Sequence, residues 1–416
     1  MSANQSPRST KQLRDDALAI WQAGVDAVRA DRLLMENVRV TEGTLHIGDE
    51  EIPLADVRRI LVVGGGKAGA GMAAGLEQAL GAEILTANQV SGWINIPAGS
   101  ERPTQAIQLH PARPAGRNEP TEAGVQGTQN ILRLVSDAAD NDLVICLLSG
   151  GGSALMPAPI EGISLSDKQQ VTRFLSGAGA NIEQLNTVRK HLSQIKGDGL
   201  AKACNAGKLI TLIISDVLGD PLDVIASGPT VADSSTPRDA LSVLRQFDPD
   251  GELPQSVYVA LKSQAAEKQA ASDAARAECA SINVIIGNNA TAIDAAGMEA
   301  ERRGYSHAMH AATALEGDAE SVGRHLAKMA KRMREQAGPD CLITGGEPIV
   351  RLADEQVRGT GGRNQQLVLA AAIDLLAGPS GGEGICLLSG GTDGEEGPID
   401  DAGACCELED AGESKE

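Results

Sequence analysis

The stretch Ile60–Leu80, ILVVGGGKAGAGMAAGLEQAL, decides the fold. An apolar run meets three glycines, then a lysine, then a series of small residues with helical character. This is the pattern of a buried strand turning into a helix through a glycine loop. Gly64, Gly66 and Gly69 fit the GxGxxG spacing of a dinucleotide turn. That reading also needs an acidic residue about 20 positions on, at the end of the next strand. Glu83 instead precedes the apolar run ILTA, so the fingerprint is incomplete. An ATP-binding P-loop places Ser or Thr directly after its lysine, and here Ala68 follows Lys67. A cation at a helix start opposes the helix dipole, so Lys67 reads as a partner for phosphate or carboxylate charge.

Working outward, short apolar runs alternate with helical stretches along the whole chain. The runs are Ile60–Val63, Leu143–Leu148, Leu209–Ile214, Ile282–Ile286, Cys341–Thr344 and Ile385–Leu388. Continuous apolarity is expected of parallel strands covered on both faces. Helices are predicted at Gln12–Arg29, Thr121–Ser136, Leu165–Ser176, Asn186–Lys196 and Ser321–Gln336. The class is α/β, with helices packed on mostly parallel sheets. A length of 416 residues exceeds one comfortable core, because cores stop growing at roughly 250–300 residues. The polar segment Asp248–Ala280 starts DPDGELP and continues as helix. It places the domain break near its end, giving domains 1–275 and 276–416.

Composition narrows the function. The formal charge of −20 disfavours nucleic acid and anionic membranes as partners. It leaves room for a small anion held by local cations. Seven cysteines in no repeated spacing argue against a disulfide framework, and Cys405–Cys406 read as incidental rather than metal-binding. Six histidines form no HExxH-type cluster. The N-terminus has no apolar signal core, and no run reaches membrane-spanning length, which points to the cytoplasm. The acidic stretch Glu407–Glu416 is expected to fray.

Four glycine-rich loops follow strands: GGGK, then ICLLSGGGSA (Ile145–Ala154), CLITGGEP (Cys341–Pro348) and ICLLSGGTDG (Ile385–Gly394). In an open parallel sheet such loops lie at the ligand-binding ends of the strands. Glycine there lets backbone N–H groups reach an anion. Cations accompany them. Arg363, in RGTGGRNQQ, follows paired glycines, and its planar fork suits bidentate phosphate recognition. Asn186, Arg189 and Lys190 share one helical face in LNTVRKHLSQIKGDGLA. Carboxylates at strand ends complete the set: Asp216 and Asp220 in SDVLGD, Glu347 in TGGEP and Asp393 in SGGTDG. Hard oxygens of this kind hold Mg²⁺ beside phosphates or accept a proton. Together these are the parts of phosphoryl transfer, without a Walker or protein-kinase signature.

The ordered series GGGKAGAGM, LLSGGGSALMPAPIEGISLSDKQ, LNTVRKHLSQIKG, SDVLGDPLDVIASGPT, TGGEP, GTGGRNQQ and SGGTDG resembles class II glycerate kinases, the glycerate 2-kinases with a C-terminal MOFRL domain. The similarity runs from about Arg14 to Ala404. It implies a Rossmann-like N-terminal domain with a mostly parallel sheet, and a smaller C-terminal α/β domain of MOFRL type enclosing a cleft. It also implies transfer of the γ-phosphoryl group of ATP to D-glycerate, giving 2-phosphoglycerate with Mg²⁺. Family lysine and arginine positions regarded as catalytic fall on Lys67 and Arg363, and Asp216 is added as a third catalytic candidate. Substrate binding is assigned to Ser149, Gly150, Gly151, Ser153, Asn186, Arg189 and Lys190. Nucleotide binding is assigned to Gly64, Gly65, Gly66, Gly345, Gly346, Gly361 and Gly362. Asp220, Glu347 and Asp393 are the expected metal ligands, and the assembly is a monomer or homodimer.

Two departures from the family pattern stand out. Asp198 occupies a position where relatives commonly have a second glycine. The family chain continues well past the TDG motif, whereas this sequence ends DDAGACCELEDAGESKE. That implies a C-terminal domain short of strands, with a bare sheet edge. Two other readings stand beside the kinase: a non-catalytic nucleotide or sugar-acid binder of kinase-like fold, and an NAD(P)-dependent oxidoreductase.

Overall fold

The computed structural model describes residues 8–270, 279–314, 316–351, 353–354, 356–377, 382–394 and 401–407. They divide into two compact units: Ala30–Ile286, and Met1–Arg29 with Gly287–Glu416.

The chain opens with α1 (Thr10–Ala27) and α2 (Ala30–Asn37). An antiparallel meander of β1 (Val38–Thr41), β2 (Thr44–Ile47) and β3 (Glu50–Pro53) follows. Next come β4 (Ile60–Gly65), α3 (Gly69–Ala87), β5 (Ser91–Pro97), β6 (Ile107–Arg113), α4 (Glu122–Ser136) and β7 (Leu143–Leu148). Four helices then intervene: α5 (Gly152–Leu155), α6 (Leu165–Gly177), α7 (Ile182–His191) and α8 (Gly199–Ala203). The unit closes with β8 (Lys208–Ile214), α9 (Pro237–Phe247), α10 (Gln255–Ala270) and β9 (Ala280–Gly287).

Its sheet has six strands in the order β6-β5-β4-β7-β8-β9. The β4–β5, β5–β6, β4–β7 and β7–β8 pairings are all parallel. Counted from β4 as strand one, the order is 3-2-1-4-5-6, the doubly wound arrangement whose switch point opens between strands one and four. Those two strands are β4 and β7. Every residue of both is buried, and Leu61, Val63, Val144, Cys146 and Leu148 share a core with Ile131 and Val135 of α4. Each such aliphatic side chain contributes about 1.5–3 kcal/mol by leaving water. The sequence runs therefore became strands because helices cover both of their faces.

Two expectations shift. The run ILTA belongs to the last turn of α3, and the strand after the glycine loop is β5, which ends in Pro97. No acidic residue closes it, so the dinucleotide fingerprint stays incomplete on the correct strand too. The helix expected over Asn186–Lys196 ends at His191. There Ser193 bridges to Pro159, and Gln194 N–H donates to the Ala158 carbonyl, drawing the chain off the helix axis. The expected break at 275/276 lies outside the described residues. The compact units meet at 286/287, and α1 groups with the later one.

The second unit contains α11 (Asn289–Arg302), β10 (His307–Ala311), α12 (Ala319–Glu335), β11 (Cys341–Gly345), α13 (Arg363–Leu376), β12 (Cys386–Gly390) and β13 (Gly403–Glu407). Helix α1 buries Ile20 against Ala296 and Ala300 of α11. Its Arg14 pairs with Glu407 at 2.9 Å, and its Asp16 accepts from Arg303 and Tyr305. Strands β10 and β11 are parallel, and β12 and β13 antiparallel. The sequence GACCE in the tail thus forms a strand beside β12; residues 408–416, where fraying was expected, are outside the described part.

Candidate active site

In the first unit the loops after β4 and β7 interlock at the switch point. Lys67 N–H donates to the Gly150 carbonyl at 2.8 Å, and Ala68 N–H donates to Ser149 Oγ at 3.0 Å. The approach is so close that a side chain at Gly66 would run into Ser149 Oγ. Ser149 is buried, so its hydroxyl latches the two loops together. Gly65 ends β4, and Gly64 lies against the Leu147 backbone of β7. Gly151 sits in the left-handed region, φ 77°, where a Cβ would lie 3.3 Å from Lys67 Cγ and 3.2 Å from Arg113 Nη2. Lys67 and Arg113 therefore bring two cations to one glycine turn. Helix α3 starts at Gly69 behind Ala68, which offers no side-chain cap. Its first-turn amides keep the positive end of the helix dipole for a ligand.

The β7 loop carries a second cluster two residues further on. Lys196 Nζ donates to the Ser153 carbonyl at 2.8 Å and to Ser153 Oγ at 2.7 Å. Arg189 also donates to Ser153 Oγ, and its other terminal nitrogen reaches Asn186 Oδ1 at 3.4 Å. Ser227 Oγ lies 3.0 Å from Ser153 Oγ and donates to Asn186 Oδ1 at 3.2 Å. Ser227 and the preceding Ala226 both hold positive φ, 63° and 50°. Non-glycine residues pay of order 1–3 kcal/mol each for that, and such strain concentrates at working sites. Burial pushes the Lys196 amine well below its ordinary pKa, and the charges of Arg189 and Lys168 push the same way. Lys168, buried with its amine on the Leu192 carbonyl, is pushed down to about 7 by burial and by Arg189.

Lys190 differs from its neighbour Arg189. Its amine stands 3.4 Å from Asp233 and 3.5 Å from Asp223. Two carboxylates already neutralise it, so its place is in the frame of the site. Asp198, at positive φ of 71°, pairs with Lys202 at 3.4 Å. The left-handed backbone explains why glycine suits this position, and Lys202 takes up the extra charge. The carboxylate of Asp216 lies against Gly150, where a side chain would strike it. Asp220 occupies a left-handed turn four residues later, φ 54°.

In the second unit Arg363 is the first residue of α13, with Gly362 as a cap lacking a side chain. Gly361 precedes it and packs against Gln365. Arg363 Nη1 meets Glu347 Oε1 at 2.7 Å, with both side chains about half exposed. An exposed pair of this kind is worth about 0–1 kcal/mol, so a ligand can take either partner. Gly345 ends β11 and receives the Asn289 amide on its carbonyl at 2.9 Å; a side chain at Gly346 would meet Glu316. Asn364 accepts from Ser389 at the end of β12. Asp393 is exposed in the turn that follows.

Among the described residues, the three closely set potential metal ligands are Cys386, Cys405 and Glu407, and Asp220, Glu347 and Asp393 are not part of such a group. Mg²⁺ needs no protein cage, since it keeps waters and phosphates and takes one or two carboxylates. The strand-end acids fit that role. Residues the sequence reading missed are Arg113, Lys168, Lys196 and Ser227. Arg113 had a legible signal, a lone cation ending a strand in HPARP. Lys196 was concealed by the helix drawn through it.

Comparison with known proteins gives a consistent result. A family model described as "Domain of unknown function (DUF4147)" matches residues 16–262, and that of the MOFRL family matches 340–416. The glycerate kinase of Mus musculus is 35% identical over 94% of this chain and 82% of its own length. The D-glycerate 2-kinase of Thermotoga maritima is 36% identical over 95% and 86%. The crystal structure of the Thermotoga maritima glycerate kinase superposes with a TM-score of 0.76 at 34% identity, covering 95% of this chain and 87% of that one. Among the described residues no helix is long and apolar enough to cross a membrane.

Proposed function

The chain belongs to the glycerate kinase family with a C-terminal MOFRL domain, and from that premise we propose how it transfers the γ-phosphoryl group of ATP to the 2-hydroxyl of D-glycerate. The products are 2-phosphoglycerate and ADP. The observation that carries the assignment of roles is the interlocked glycine turn between β4 and β7, with Lys67 and Arg113 both beside Gly151. Phosphoryl transfer needs little covalent help from protein; it needs positioning and neutralised charge.

Lys67 neutralises phosphoryl charge in the first unit, and in the second Arg363 exchanges Glu347 for phosphate oxygen. Nucleotide binding falls to Gly64, Gly65 and Gly66, which carry the chain tightly into the uncapped start of α3, and in the second unit to Gly345, Gly346, Gly361 and Gly362. Asp216 accepts the proton of the attacking hydroxyl. Ser149, Gly150 and Gly151 shape the turn, and Ser153, Asn186 and Arg189 hold glycerate. Asp220, in the first unit, and Glu347 and Asp393, in the second, are the carboxylates that would hold Mg²⁺, which would supply screening of the phosphate charge. The enzyme acts in the cytoplasm as a monomer or homodimer on a small molecule, not on nucleic acid.

Phosphorus NMR of a mixture of enzyme, ATP, Mg²⁺ and D-glycerate tests the reading. The expected result is a growing 2-phosphoglycerate resonance matched by ADP. Only 3-phosphoglycerate would overturn the regiochemistry, and ADP that forms equally without glycerate would overturn the acceptor.

A further inference from the structure

Where this protein uses a cation for structure, it supplies the counter-charge itself. Lys190 has Asp223 and Asp233, and Lys208 has Glu50 at 2.8 Å. Arg189, Lys196 and Lys168 break that habit. Among the described residues none of the three has a carboxylate at ion-pair distance; their hydrogen bonds go to Ser153, Asn186 and the Leu192 carbonyl. Yet Lys196 and Lys168 are buried, where an uncompensated charge is costly. Ser153 Oγ accepts from both Arg189 and Lys196, so its own proton goes to Ser227 Oγ, and the Ser227 proton goes to Asn186. The cluster is a set of donors with its acceptors saturated. It lacks an anion.

We infer that Lys196 and Arg189, seated on Ser153, are the recognition point for the carboxylate of the substrate, and that Lys196 selects a hydroxy acid over a neutral polyol. The inference rests on the kinase reading above and deepens it. Ser153 is two residues from Gly151, the turn shared by Lys67 and Arg113, and two residues span at most about 7 Å. In glycerate the carboxylate is attached to the carbon bearing the reacting hydroxyl. One short turn thus offers charge for the phosphoryl group at one end and charge for the acid at the other. Nucleotide phosphates have the uncapped amino end of α3, which leaves the donors at Ser153 for the smaller anion.

The test compares the wild type with Lys196→Met in steady-state kinetics and thermal melts. Wild-type turnover of glycerate is established first; its absence is a failure of the kinase reading, not of this inference alone. In K196M the KM for glycerate should rise about 50-fold, the cost of one lost charge-assisted bond, with kcat within about 3-fold and the KM for ATP unchanged. Wild-type preference for glycerate over glyceramide should shrink by about the same factor. The melting temperature without substrate should hold or rise, because a buried unpaired cation is gone, and the shift produced by glycerate should vanish. An unchanged KM for glycerate, or a rise in the KM for ATP instead, overturns the inference, as does a fall in melting temperature with glycerate discrimination intact. If K196M does not fold, Arg189→Gln is read by the same criteria.

Discussion

Strands β4 and β7 lie side by side along their whole length and end in opposite designs. At their amino ends Asp142, fully buried, takes both nitrogens of a fork from Arg58 at 2.8 and 2.7 Å and two bonds from Arg59 at 3.0 and 2.7 Å. The Ala139 amide adds a further bond. Burial works against ionisation there, but the two guanidinium groups outweigh it and hold the carboxyl well below its ordinary pKa. At the carboxyl ends the same strands carry glycines, an uncapped helix and the cations Lys67 and Arg113 beside one turn. One end is closed electrostatically; the other is left open for a ligand. Stability and function are thus separated by the length of a strand.

Breaking each end should give opposite signatures. The largest effect is expected at the open end: Lys67→Ala should lower kcat by about 10³-fold, near 4 kcal/mol of transition-state stabilisation, with the melting temperature unchanged, and Arg363→Ala in the second unit should do the same. Single-turnover kinetics beside calorimetry reads both. At the closed end Asp142→Ala should cost about 2–3 kcal/mol in urea unfolding, below the range for fully buried pairs because both arginines reach water, while kcat holds. If D142A lost activity without losing stability, the contrast between the ends would collapse.

Gly66→Ala sharpens the boundary. Its Cβ would force Ser149 away and unlatch the loops, costing about 1–3 kcal/mol as overpacking, and it should lower kcat/KM as well. The smallest effect is the acid limb. A carboxyl depressed on folding contributes stability that is complete above the unfolded pKa, about 3.9, and fades as pH falls below it. Wild-type stability should therefore drop on acidification below about pH 4, and Asp142→Asn should flatten that slope in pH-resolved melts.

The sequence was most legible where chemistry is one-sided. Continuous apolar runs announced β4, β7 and β8, because strands buried on both faces have nowhere to put polar groups; the same signal announced β9, β11 and β12, which are only half-buried. β5 escaped detection since SGWINIP carries Asn95 in its buried centre. That amide is satisfied by the Leu155, Gly124 and Thr128 oxygens, and its oxygen accepts from Trp93. Only tertiary partners make such a residue tolerable. In the site, loops with glycine beside a cation were readable, but the fates of Arg189 and Lys190 were not. Adjacent on one helix, they are separated by where Asp223 and Asp233 happen to fold. Lys196 needed the end of α7, which the bridge at Ser193 sets rather than any local propensity.

The grouping of α1 with the later unit governs how the molecule is born. Translation delivers Ala30–Ile286 whole, with every strand of its sheet, before α11 exists, and domains fold as units while synthesis proceeds. Helix α1 leaves the ribosome first yet must wait for α11 to cover Ile20. Until α11 is made, Ile20 stays in water, so an early helix is among the last to pack.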